Sequence, residues 1–292
     1  MSVLNKKIDF AFVFAATNAN PNGDPLDGNR PRTDFKGFGE VTDVCLKRKI
    51  RNRLQDMGER IFVQSDDRRD DGMRSLKARA DAAPELKKLT PALYAETACK
   101  LWIDVRSFGQ VFAFKDNKGS DGEEGSDAVS IGIRGPVSIQ PAFSVHPVNI
   151  TSTQITKSVN LETGKNPDKK AADTMGMKHR VDFGVYTTFG SINVKLAEKT
   201  GFSEEDAEKI KKALLTLFQN DETSSRPSGS MEVIKLIWWM HNCEIGQYSP
   251  AKVHRSLKVT ATDPKKIPSC IEDYKITVEP LDGLLFEELD GE

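Results

Sequence analysis

The run IDFAFVFAA (residues 8–16) passes directly into TNANPNGDPLDGNRPR (residues 17–32), and the join between them sets the reading of the chain. The first stretch is β-branched and aromatic enough for a buried strand. The second holds three prolines, two glycines and four asparagines in sixteen residues, a density of breakers that neither helix nor strand accepts. It reads as a long, turn-rich loop, and loops of that length are functional or disordered far more often than idle. Asn18, Asn20, Asn22 and Gly23 would offer amide and backbone donors to a ligand, with Arg30 and Arg32 adding cations.

Outward from that join, residues 42–57 have the spacing of a helix, with Val44, Cys45, Ile50 and Leu54 on its apolar side and Gly58 at its end. Lys47, Arg48, Lys49, Arg51 and Arg53 surround it, five basic positions in seven residues, a density that suits contact with several phosphates. Residues 59–83 are charge-dense and read as an insertion, 91–100 as a short helix, 102–114 as extended and 115–127 as a glycine-rich surface loop. Residues 134–158 and 180–196 read as two long extended segments joined by a polar tip, a hairpin with a protruding arm. The acidic start at 203–206 opens a helix running to about 220, and MEVIKLIWWMH (231–241) closes as a strand. The resulting order is βαββαβ, an α+β, ferredoxin-like or RRM-like sheet with insertions.

The composition is that of an ordinary folded protein: 292 residues, 38% hydrophobic, 29% charged, formal net charge -1. Its longest uncharged apolar stretch is far short of the ~20 residues that cross a bilayer, so neither a membrane span nor a secretion signal is expected. Cys45, Cys99, Cys243 and Cys270 are widely spaced, as suits reduced thiols in a cytoplasmic protein. Charge is unevenly distributed. Residues 30–60 hold nine basic side chains against five acidic, residues 151–181 six against three, and the last twelve residues five acids and no base. That pattern suits a subunit that holds a polyanion and also contacts copies of itself.

Catalytic signals are sparse. His146, His179, His241 and His254 have no metal-ligand spacing, and no nucleophile-elbow, Walker or dinucleotide motif occurs. Asp24 and Asp27 are donors of the kind a divalent ion takes, although Asp in such a loop also caps its own turn. The acidic-basic run at 66–71 interleaves its own counter-charges. Lys36-Gly37-Phe38-Gly39 resembles the start of an RRM signature, but Glu40 and Asp43 stand at its aromatic positions and it precedes the first helix. The base of the arm gathers Thr156, Lys157, Lys178, His179 and Arg180 with the flexible thioethers of Met175 and Met177. Cations beside an apolar wedge are a known means of kinking a nucleic-acid strand.

Several separated motifs then carry a family resemblance: NANPNGDP (18–25) and GNRPR (28–32), DVRSFG (104–109), RGPV (134–137), SVHPV (144–148), QITKSVN (154–160), KHRV (178–181) and GFSEED (201–206). In this order they resemble the backbone subunit of the type I-C CRISPR surveillance complex, Cascade, over almost the whole chain. The resemblance implies a modified RRM-like palm (1–58, 128–158 and 178–292, the last with an acidic tail), a fingers insertion (59–127) and a β-hairpin thumb (159–177). It implies polymerisation along a guide RNA, kinked at intervals by the thumb so that exposed bases pair with target DNA. Partners would be the guide RNA, further copies of the chain, other Cascade subunits and a recruited helicase-nuclease, with no cofactor, metal or catalytic residue. Lys47, Lys49, Arg51, Arg53, Arg30 and Arg32 would grip phosphates. Asn18, Asn20, Asn22, Gly23, Thr156, Lys157, Lys178, His179 and Arg180 would hold RNA, and Met175 or Met177 would wedge. A metal-dependent ribonuclease using Asp24 is the enzymatic alternative, and an RNA-free self-assembling protein a third.

Overall fold

The strand β1 (Ile8–Ala19) is buried on both faces, with Phe10, Phe12 and Phe14 in one core cluster and Ala11, Val13 and Ala15 in another. That double burial explains why its sequence is a continuous apolar run instead of an alternation. The computed structural model describes residues 2–113, 130–156 and 175–292. After β1 come β2 (Gly23–Asp24), β3 (Arg30–Pro31), β4 (Phe38–Val41), α1 (Asp43–Asp56), α2 (Leu76–Ala82), α3 (Pro91–Leu101), α4 (Ile103–Phe108), β5 (Gly109–Ala113) and β6 (Ser130–Arg134). The described chain continues with β7 (Val137–Ile139), β8 (Ala142–Pro147), β9 (Ile150–Thr156), β10 (Met175–Ile192), α5 (Val194–Thr200), α6 (Glu204–Leu215) and β11 (Met231–Met240). Last are α7 (Pro250–His254), β12 (Leu257–Ala261), β13 (Tyr274–Val278) and β14 (Leu285–Asp290).

The architecture is mixed α/β around a central antiparallel sheet in the order β14-β11-β1-β10-β8-β4, with β7 and β9 also pairing with β10. On one face, Leu46, Ile50 and Leu54 of α1 and Ala207, Ile210 and Leu214 of α6 pack onto the phenylalanines of β1, and Phe14 stacks on Tyr186 with ring centroids 5.2 Å apart. Gly190 admits the Phe10 ring, since a Cβ there would stand 2.1 Å from it. On the other face, Val253 of α7 and the β12-β13 hairpin cover Ala11, Val13, Val185, Ile237 and Trp239. A third cluster (Phe62, Leu86, Tyr94, Trp102, Phe112) gives the inserted region its own core, completed by Ile131 and Ile133 of β6.

Three expectations need correction. Residues 103–108, read as extended, are the helix α4, because the buried Asp104 carboxylate accepts from the Phe62 and Val63 N–H groups at 2.7 and 3.0 Å and pairs with Arg51. The segment expected as extended over 134–158 is, within the described residues, three strands broken around Pro141 and Val148. The segment expected at 180–196 reaches back to Met175 within the described residues and stops at Ile192, where Asn193 caps α5 through Leu196 N. The acidic tail, for which no structure was expected either way, is strand β14 along β11. Glu287 pairs with Lys211 (2.9 Å), Glu288 and Asp290 with Lys235 (2.9 and 2.8 Å), and Glu292 with Lys212. The glycine-rich segment 115–127 and most of the arm lie outside the described residues.

Candidate nucleic-acid interface

The loop after β1 is a stapled ribbon. Its Gly23 and Asp24 pair with Pro31 and Arg30, and a side chain at Gly23 would collide with Asn29 Oδ1. Asn20, nearly fully buried, donates to Asn29 O at 2.6 Å. Asn22 Oδ1 accepts from Thr42 N and Oγ1, both at 3.0 Å, while Thr42 Oγ1 caps α1 by accepting from Cys45 N. Asp24 accepts from Leu26 N (3.0 Å) and holds the Arg32 guanidinium at 3.2 and 3.3 Å. The expectation of a free donor is therefore corrected at Asn20, while Asn22, through its Oδ1, and Gly23, paired with Pro31, also fix the loop to itself and to the start of α1. Asn18 is exposed, in a left-handed conformation (φ 52°).

The same correction holds for α1. Lys49 is buried, paired with Asp221 and set over the Phe218 ring, and desolvation pushes its pKa below the ordinary lysine value. Arg51 binds Asp104 at 3.0 Å and stacks on Phe108, while Arg53 donates to Thr216 Oγ1 (2.7 Å) and Gln219 Oε1 (2.8 Å). Arg48 reaches Val63 O at 2.7 Å, and Lys47 pairs with Asp43 at 3.0 Å. The helix is clasped by the inserted region on one flank and the turn after α6 on the other, so its cations bind the protein's own acids and carbonyls. Arg32 likewise belongs to Asp24.

The base of the hairpin is different. Residues directly opposed across an antiparallel pair share a face. The register Met175↔Thr156, Met177↔Gln154 and His179↔Ser152 therefore puts Met175, Met177 and His179 together with Ser152, Gln154 and Thr156. Lys178 and Arg180, with Thr153 and Thr151, fall on the opposite face, Arg180 lying 3.9 Å from Asp182. On the first face Arg30 reaches over from the loop. Its Nη1 donates to Ser152 Oγ at 3.1 Å, and Ser152 Oγ is 2.8 Å from His179 Nδ1. Met175 and Met177 are 66% and 52% exposed beside it, and Gln154 Nε2 lies 2.9 Å from Met175 Sδ. The loop and the hairpin, 122 residues apart in sequence, thus meet at one open polar surface flanked by thioethers. Lys157 lies outside the described residues, as does the arm tip.

Ser152 and Gln154 were not singled out from the sequence, although the alternation in ITSTQIT carries the signal. Asp9 was also missed. It is fully buried in β1, accepting from Lys7 Nζ (2.8 Å) with His241 Nε2 at 2.9 Å and His254 Nε2 at 3.9 Å. Burial raises the Asp9 pKa, but bonds from His241, Lys7 and Ser191 outweigh it and hold the carboxyl below its ordinary value. His254 is pushed down, chiefly by desolvation. This cluster belongs to the core, on the α7 side of the sheet. Among the described residues no group of three or more His, Cys, Asp or Glu has the arrangement to hold a metal, and no helix is long and apolar enough to cross a membrane.

Fold and surface together define an antiparallel α/β protein whose projecting hairpin and structured loop share a polar face. Residues 6–279 match the family of CRISPR-associated protein Cas7, and the chain belongs to that family. It is 30% identical over 245 residues to a CRISPR-associated protein Cas7 of Haloferax volcanii, covering 78% of this chain and 68% of that one. Chains from two solved structures described as a CRISPR RNA-guided surveillance complex are also similar. The first, described as pre-nicking, has TM-score 0.44 and 18% identity over 80% of this chain and 75% of its own. The second has TM-score 0.39 and 16% identity over 80% and 68%.

Proposed function

We propose that this chain is the non-catalytic backbone subunit of a type I-C CRISPR surveillance complex in the cytoplasm. It polymerises along the guide RNA, holds the RNA backbone without reading its sequence, and leaves bases to pair with target DNA, with other Cascade subunits and a recruited helicase-nuclease as partners. Family membership and the motif series support the reading. The observation that carries it on this chain is the meeting of Arg30, Ser152 and His179 beside exposed Met175 and Met177. Cation, donor and soft apolar group on one open face are what a single RNA strand needs for phosphate contact and for an unstacked base. The sheet order β11-β1-β10-β8, with α1 and α6 on one face, supports a βαββαβ palm of RRM-like kind. A separate core between Phe62 and Phe112 supports reading 59–127 as fingers, with the palm at 1–58, 128–158 and 178–292, and 159–177 is the thumb.

The RNA-holding set is Arg30, Asn18, Thr156, Lys157, His179, Lys178 and Arg180, the last two on the second face of the hairpin. Met175 or Met177 is the wedge. The enzymatic alternative has no such support, since the Asp24 carboxylate is occupied by Arg32 and the turn it caps. Arg30→Ala should weaken binding of single-stranded RNA by a similar factor for unrelated sequences and lower the slope of log affinity against log salt by about one. Fluorescence anisotropy over a salt series measures both; an unchanged slope would refute Arg30 as a phosphate contact.

A further inference from the structure

We propose that Ser152 is a positioning residue of this interface, which sets the neutral His179 ring as an Nε2–H donor and aligns Arg30 beside it. The inference rests on the RNA-holding reading above. Ser152 and His179 are directly opposed across the β9-β10 ladder, so their contact follows from register and not from a long side chain reaching out. Arg30 Nη1 lies 3.1 Å from Ser152 Oγ, and a guanidinium has no acceptor, so the serine oxygen accepts this bond. Ser152 keeps its hydroxyl proton and a second lone pair, and on this proposal that proton is directed to His179 Nδ1, 2.8 Å away. A neutral imidazole that accepts at Nδ1 carries its own proton on Nε2.

That second nitrogen has no hydrogen-bond partner among the described residues. It lies under the loop at Gly28, where an added Cβ would stand 4.0 Å from it and where the backbone is left-handed (φ +57°). The relay therefore presents two donors, the Arg30 guanidinium and the His179 Nε2–H, at the gap between loop and hairpin. Paired donors suit phosphate oxygens and ribose hydroxyls, the features of RNA that carry no sequence information. Removing the hydroxyl releases Arg30 from the hairpin and frees the histidine to exchange tautomers.

The test uses the full-length chain freed of nucleic acid, isotopically labelled at the histidine ring nitrogens, with fluorescein-labelled single-stranded RNA of mixed sequence as probe. In the wild-type protein at mildly alkaline pH, His179 should give the nitrogen shifts of the Nε2–H tautomer. Ser152→Ala should move those shifts toward a tautomer mixture and weaken RNA binding about three- to tenfold, while Ser152→Thr should restore both. Ser152 is exposed, so the thermal midpoint should not fall, and the nitrogen shifts of the other three histidines report whether the fold is intact. Unchanged His179 shifts in Ser152→Ala, or RNA affinity equal to wild type, would overturn the proposal. Failure of the wild-type chain to bind RNA would instead overturn the functional reading, and the tautomer would still test the relay.

Discussion

Charged side chains that look alike in the sequence divide sharply by partner. Arg51 and Asp104 form a buried pair, and Asp104 also receives two backbone N–H groups, so Asp104→Ala would strand a guanidinium and both donors. A loss of about 3 kcal/mol or more is expected in urea unfolding. Lys49→Ala should likewise lower stability, because Asp221 loses one of its two cations, yet leave the salt slope of RNA binding at its wild-type value. Arg30→Ala should do the reverse, and the pair of variants separates a structural cation from a phosphate-binding one. Acid stability is set at this scale too. The folded state holds the His254 pKa below the ordinary 6.5, so the unfolded chain takes up the proton first and stability begins to fall as pH drops through about 6.5. Asp9, also held below its ordinary value of 3.8, contributes stability that is present above that pH and lost beneath it. Thermal midpoints followed from neutral to acidic pH should show the first decline in the wild type and lose it in His254→Asn. An unchanged decline in that variant would place the sensitivity elsewhere.

Elements were legible where their periodicity was their own. The apolar run of β1, the acidic start of α6 at 203–206 and the strand β11 follow from local sequence, whereas on α1 only Ile50 and Leu54 of the expected apolar side are fully buried, with Leu46 in place of the exposed Val44. The helix α4 was not, since its β-branched and aromatic residues favour a strand and only the distant Phe62 and Val63 amides explain the conformation. Nor was β14, whose acids look unpartnered until Lys211, Lys212 and Lys235 are brought alongside. The basic residues of α1 misled for the same reason: sequence shows charge, while the neutralising acids lie 53 and 172 residues away. The join of loop and hairpin at Arg30 and His179 was half legible, both residues being picked out but the serine between them missed. Because β14 shields the edge of β11, deleting residues 285–292 should lower the thermal midpoint and increase aggregation. Differential scanning calorimetry with light scattering checks this, and a fully monomeric, equally stable truncation would show that β14 adds nothing to the sheet.

At the scale of the whole molecule, two layers of function are separated in space. One sheet face and the inserted core are held by aromatic stacking and internal ion pairs, and the polar surface lies at the root of the hairpin, where no acid among the described residues pairs with Arg30. On the proposed function, a subunit built this way would grip a polyanion at its edge while its core stays indifferent to the ligand, as a repeating scaffold requires. The most direct test is size-exclusion chromatography of the purified chain, with nucleic-acid and protein absorbance read together before and after ribonuclease. The proposed function predicts a large, nucleic-acid-rich species that shrinks on digestion, protects RNA in regular segments and re-forms when guide RNA is supplied. A small species with protein-like absorbance that ignores ribonuclease and takes up no guide RNA would contradict it.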